Sequence, residues 1–136
     1  MILIEPLKRL LIGGKAIECE DSEEHFGGFC DCGGTMKQKF WAFNGEKEVM
    51  ISECEKCWNV SAFVFEGRRF LAKEDVSVVT KKNLLDFARR VLSNAEFEAF
   101  LRKLEGKVYN PTALSRARKR MEELGIRLED FLEIFR

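Results

Sequence analysis

Hydrophobic positions along the chain change period near residue 80. Beyond it, apolar residues recur at three- and four-residue intervals, the signature of amphipathic helices. Thr80 is placed to cap a first helix over Lys81–Leu92, with Leu84, Leu85, Ala88, Val91 and Leu92 inward. Ser93 and Glu96 form a capping-box pattern, in which each side chain satisfies the other's free backbone N–H. The helix they open carries Phe97, Phe100, Leu101 and Leu104 at core spacing and stops at Gly106. Asn110-Pro111 supplies a cap and a first-turn proline for a third helix. That helix has Leu114, Ala117, Met121 and Leu124 on one side and ends at Gly125; a last helix over about 128–135 aligns Leu128, Phe131, Leu132 and Phe135. Before residue 80 the period shortens to two. Asn44-Gly45 predicts a tight hairpin between Thr35–Phe43 and Glu46–Glu53, and Asn59–Phe65 predicts a third strand. Residues 1–29 are the least patterned: Pro6–Ile12 suggests a short helix closed by Gly13-Gly14, then a strand and an acidic loop.

The expected fold is therefore α+β: a three-stranded antiparallel unit over 30–70, a preceding segment over 1–29 packed on it, and a domain of about four helices over 80–136. With 46% hydrophobic residues, including 12 Phe, the 136-residue chain can bury a core. It has no apolar run of membrane-spanning length, and the N-terminus lacks a basic stretch ahead of an apolar block. A cytoplasmic location is the expectation, with thiols kept reduced. Net charge is zero, but residues 1–79 hold 10 basic and 14 acidic side chains while residues 80–136 hold 13 and 9. The 34% charged content and a single glutamine suit a heat-adapted source.

Candidate chemistry concentrates in the four cysteines of two close pairs, Cys30/Cys32 and Cys54/Cys57, with a hairpin between them. An antiparallel hairpin returns the second pair to the first, and four thiolates make a tetrahedral site suited to zinc. A site closed by four protein sulfurs has no open position for substrate, so one structural Zn2+ is expected. Rubredoxin-type iron shares the geometry. A redox role for Cys54-Glu-Lys-Cys57 would need an activating helix N-terminus, which the pattern does not provide. His25 is a spare ligand candidate, its plainer reading a solvated loop histidine; Cys19 reads as a half-buried small hydrophobe. The cysteine spacing resembles the zinc-ribbon superfamily over about residues 28–66, and the whole looks like a small archaeal-type protein. That resemblance implies roles among transcription factors, polymerase subunits and ribosomal proteins.

Two further groups bear on function. A two-residue loop at Asn44-Gly45 would pair Phe40 with Val49, Gln38 with Ile51 and Ala42 with Lys47 on the core face. The other face would then carry Lys37, Lys39, Trp41 and Phe43, the makeup of a stacking platform for single-stranded nucleic acid or, alternatively, of a packed internal face. Trp58 is expected to shield the metal. The third helix puts Arg116, Arg118, Lys119 and Arg120 opposite its apolar stripe, as a recognition helix of a helix-turn-helix would; the alternative is a solvated face with i,i+4 pairs to Glu122 and Glu123. No nucleophile elbow, phosphate loop or dinucleotide fingerprint occurs. The resulting expectation is a non-enzymatic zinc protein associated with DNA or RNA in transcription or translation. The alternative is an adaptor whose ribbon docks onto a larger protein complex.

Overall fold

A computed structural model describes all residues, 1–136. The N-terminal half is not a three-stranded ribbon. It is one sheet of nine strands curled into a nearly closed barrel. The strands are β1 (Ile2–Ile4), β2 (Arg9–Ile12), β3 (Lys15–Asp21), β4 (Phe26–Phe29), β5 (Thr35–Asn44), β6 (Lys47–Cys54), β7 (Val60–Glu66), β8 (Arg69–Asp75) and β9 (Ser77–Val79). Their spatial order is β8-β7-β6-β5-β3-β2-β1-β9, with β4 beside β5.

Residues 1–29 thus contribute four strands rather than a segment laid on a ribbon. Instead of a helix over Pro6–Ile12 there is a single 3-10 turn, Glu5–Leu7, followed by β2. Leu7, Leu10 and Leu11 fit a helical stripe, but strand pairing with β1 and β3 takes Leu10 into the barrel and leaves Leu11 on the outer side. Gly13-Gly14 joins β2 to β3 as a hairpin turn with both residues at positive φ.

Closure depends on a strand switch at Val76. Up to Asp75 the chain pairs antiparallel with β7; from Ser77 it pairs in parallel with β1. The Val76 N–H donates to the Val60 carbonyl at 3.0 Å and the Ser77 N–H to the Met1 carbonyl at 3.2 Å, so the change takes one peptide. Inside, alternate residues make a core of small and medium side chains: Leu3, Leu10, Cys19, Ala42, Val49, Ile51, Ala62, Val64 and Val76.

The helical half follows the sequence pattern closely. A 3-10 turn over Lys81–Asn83 leads into α1 (Leu84–Val91), then α2 (Asn94–Leu104), α3 (Pro111–Glu123) and α4 (Leu128–Ile134). The Glu96 N–H donates to Ser93 Oγ at 3.3 Å, and the Ser93 N–H to Glu96 Oε1 at 3.0 Å. Asn110 Oδ1 accepts from the Thr112 and Ala113 amides. The helices do not form a free-standing unit. Their core of Phe87, Phe97, Phe100, Met121 and Phe131 is continuous with Ile4 and Val79 from the outer side of β1 and β9. The Ala16 N–H also donates to the Leu124 carbonyl at 2.7 Å, tying β3 to the end of α3.

Candidate metal centre

Two turns at one end of the barrel carry the cysteines. The first, at 30–34, is closed by the Cys30 N–H donating to the Gly34 carbonyl and the Gly33 N–H to the Cys30 carbonyl, both at 2.9 Å. The second follows β6, where the Cys54 N–H donates to the Asn59 carbonyl and the Trp58 N–H to the Cys54 carbonyl. Strand pairing brings them together, since Met36 lies opposite Cys54 and the Glu55 N–H donates to the Thr35 carbonyl. As a result the four sulfurs of Cys30, Cys32, Cys54 and Cys57 all lie within 4.8 Å of one another. Cys30 Sγ is 3.5 Å from Cys57 Sγ, and Cys32 Sγ is 3.5 Å from Cys54 Sγ. All four cysteines are free.

These distances fit a metal. Four sulfurs at about 2.3 Å from a tetrahedral zinc are about 3.8 Å apart, inside the span observed here. Amides support the sulfurs: Gly34 N–H reaches Cys32 Sγ at 3.4 Å, and the Lys56 and Cys57 amides reach Cys54 Sγ at 3.3 and 3.4 Å. Gly34 is required by space. A Cβ there would sit 2.8 Å from Cys54 Sγ and 3.3 Å from Cys32 Sγ. Electrostatics point the same way. The Cys57 amide, aided by that of Lys56 against burial, pulls the Cys54 thiol down to about 6. The Asn59 amide also favours the Cys57 thiolate, but the crowding of Cys30, Cys32 and Cys54 outweighs it and pushes Cys57 up to about 12. One anion is welcome in this cage and a second is not, unless a cation sits between them. The quartet can therefore hold a metal ion.

The spare candidates lie elsewhere. His25 is exposed and its Nε2 is 2.9 Å from Glu23 Oε2. Cys19 faces the barrel interior, where burial raises its thiol to about 11. Trp58 does not shield the site: it is 70% exposed and holds a left-handed φ of 66°, a conformation that favours glycine.

The platform expected at Lys37, Lys39, Trp41 and Phe43 is divided. The hairpin loop is centred on Gly45-Glu46, since Asn44 pairs with Lys47 and only Gly45 has positive φ. Glycine at the first central position is the type II′ requirement. Partners shift by two, to Phe40 with Ile51 and Ala42 with Val49, and the faces survive that shift. They do not survive the bulge between Gln38 and Phe40. Beyond it Lys37 lies opposite Glu53 on the side of Val49 and Ile51, whereas Trp41 pairs with Met50 and Phe43 with Glu48. Lys37 Nζ approaches Glu55 at 3.8 Å and Lys39 Nζ approaches Glu24 at 3.3 Å. Trp41 is half-buried, its Nε1 donating to Gln38 Oε1. On α3, Arg120 Nε donates to the buried carboxylate of Glu96 at 2.8 Å, and Arg118 Nε donates to Glu129 at 2.9 Å rather than making the expected i,i+4 pair with Glu122. Arg116 and Lys119 are exposed and form no ion pair.

A different surface emerges on the outer face of β5–β8. Phe63 and Phe70 have ring centroids 6.4 Å apart, Phe70 and Phe65 5.7 Å, and Phe65 and Trp41 6.3 Å. Across the same face lies β4, its Gly27-Gly28 backbone covering Ser52 and Phe63 and its ends bearing Phe26 and Phe29, 5.1 Å apart. Lys73 stands 5.7 Å over the Phe63 ring and 3.3 Å from Asp31. The alternation of Phe63 and Phe65 was a visible cue to this band. The strand carrying Phe70 was not, because β8 is almost wholly exposed and lacks an apolar period.

Comparison with known proteins gives a family. Residues 1–78 match the model of the AF0631-like N-terminal beta-barrel domain, and residues 81–134 that of the AF0631-like C-terminal four-helix domain. These matches, not a zinc-ribbon family, describe the chain. An uncharacterised protein of Archaeoglobus fulgidus is 36% identical over 132 residues, covering 96% of each chain. No solved structure matches.

Proposed function

We propose that this chain, which belongs to the AF0631-like family, is a non-enzymatic docking module whose barrel is stapled by one zinc and recognises another protein. The aromatic band carries this reading. Phe26, Phe29 and Phe70 are 59, 68 and 54% exposed at its surface, and clustered exposed rings are the composition of protein interfaces rather than of inert surface. Zinc is favoured because four thiolates with amide support suit a tetrahedral, redox-silent ion. Four protein sulfurs complete its shell, so its contribution is folding energy at a barrel end held by short turns. Thiols used this way need a reducing compartment such as the cytoplasm. No helix is long and apolar enough to cross a membrane.

The pairing of cations favours the protein partner over nucleic acid. Of the cations expected to meet phosphate, Lys37, Lys39, Arg118 and Arg120 each face a carboxylate, as does Lys73 beside the aromatic band, leaving only Arg116 and Lys119 of that set unpaired, whereas phosphate binding relies on many free cations displacing counterions. A photo-crosslinking residue at position 70, with position 82 as control, tests this in cells. A discrete protein adduct from position 70, lost with Phe26→Ser and Phe29→Ser, is expected. An RNA or DNA adduct instead, or equal adducts from both positions, overturns the proposal. In vitro, single-stranded DNA and RNA should show no salt-sensitive binding, and elemental analysis should return about one zinc per chain.

A further inference from the structure

The junction between the barrel and the helices contains a cavity that the docking role does not use. About 460 Å³ of space opens between the outer side of β1 and β2 and helices α1 and α3. This is within the ~300–1,000 Å³ of small-molecule sites, which favour such junctions between folding units. Its floor is apolar, from Ile2, Leu11, Phe87, Val91 and Leu124. Phe87 is buried, but the four aliphatic residues are only half-buried. The two halves therefore meet here without closing over their own apolar surface.

The rim is charged, and unevenly so. Arg90 and Arg120 stand over the apolar floor together with Glu123. A smaller groove of about 190 Å³ adjoins it, sharing Arg120 and Glu123 and adding Arg116, Lys119 and Glu96. Glu96 is already committed to Arg120, and Glu123 enters no ion pair. Four cations thus face two carboxylates, and Arg90, Arg116 and Lys119 have no anionic partner. An apolar trough opening beside uncompensated guanidinium groups complements a molecule that is apolar at one end and anionic at the other.

We propose that this cavity is a binding site for a small amphipathic carboxylate, its aliphatic part between Leu11, Val91 and Leu124 and its acid group on Arg90. The site is independent of the metal centre and of the aromatic band, which lie elsewhere on the barrel.

Calorimetric titration of the full chain with decanoate, decanol and decylamine, all below their aggregation concentrations, tests it. Saturable binding of one decanoate per chain is expected. Decanol should bind about tenfold more weakly, the worth of one charge-assisted hydrogen bond, and decylamine not measurably. Arg90→Gln, at an exposed position, should cost decanoate about tenfold and leave decanol unchanged. Val91→Phe should abolish both by filling the trough. If that variant does not fold, methyl shifts of Ile2, Leu11 and Val91 in the unaltered protein on adding decanoate decide the same point. Absence of saturable decanoate binding, equal affinity for decylamine, an unaffected Arg90→Gln, or shifts confined to other methyls each overturns the proposal.

Discussion

Two regions of the barrel differ in what lies against them. The wall formed by β1, β2 and β9 lies under the helices, where Phe87, Phe100 and Phe131 extend one aromatic core from Ile4 and Val79 outward. Elsewhere, β5, β6 and β7 meet the two short turns that carry the cysteines, and none of their residues belongs to the helical core. Their buried interior residues are Ala42, Val49, Ile51, Ala62 and Val64, and the turns themselves carry the cysteine quartet, which can hold a metal ion. The helix-covered wall is secured by burial, which is non-directional and tolerant of small shifts. The other carries the cysteine quartet, and the proposed coordination there demands four atoms at set distances. A single sheet joins both, so each device can be removed while the other is monitored.

The largest effect is expected in the buried helical core. Phe131→Ala removes a fully buried ring stacked on Phe87 and edge-on to Phe100. It should cost about 3–5 kcal/mol. Because that core includes Ile4 and Val79, denaturant unfolding followed by Trp fluorescence from the barrel and by helical circular dichroism should shift together; separate transitions would show the halves to be uncoupled.

Stripping the proposed metal comes next. Bound metal at a hundredfold excess over its Kd stabilises by about 2.7 kcal/mol. After chelation, amide-exchange protection should fall at Thr35–Lys37 and Cys54–Asn59 and persist in α2 and α3. Uniform loss across the chain would refute the division of roles. Gly34→Ala should weaken metal affinity by about 10–100-fold, as disturbing a supporting shell does, measured by competition with a chromophoric chelator.

A smaller effect, and one dependent on pH, belongs to the helical half. Burial alone would raise the Glu96 carboxyl, but the hydrogen bond from Arg120, with help from the Ser93 amide, holds it below its ordinary value. A carboxyl depressed in the folded state contributes stability above its unfolded pKa of about 4.3, and loses it as pH falls through the lower folded value. Thermal melts of the parent should therefore decline on acidification below about pH 4.3, and Glu96→Gln should show a lower melting temperature at pH 7 with a shallower acid limb. A parallel acid limb would exclude Glu96 as its source. Smallest is Trp58→Gly. Relief of a left-handed φ is worth roughly 1–2 kcal/mol and glycine's added chain entropy removes about 0.5–1, so a stability gain of about 0–1.5 kcal/mol is expected in denaturant titration. A loss would mean that the indole packs on the site after all.

What could be read from the chain alone follows from the range of the interactions concerned. Helix caps span three residues, as Ser93–Glu96 and Asn110–Ala113 do, and core stripes span four, so α1 to α4 were legible at nearly their observed ends. The cysteine quartet was legible for a related reason: one hairpin returns its own ends, and Cys32 meets Cys54 whichever sheet surrounds them. The barrel was not, because its closure depends on pairs far apart in sequence. Ile2 meets Ser77 in parallel, and β3 and β4 share one edge of β5. Nothing local in "EPLKRLLI" distinguishes a helical turn from the strand that neighbouring strands make of it. The lysine–aromatic face failed at a single residue: side chains alternate with period two, so the bulge at Gln38–Phe40 turned Lys37 away from Trp41, and only the assembled sheet determines where a bulge falls.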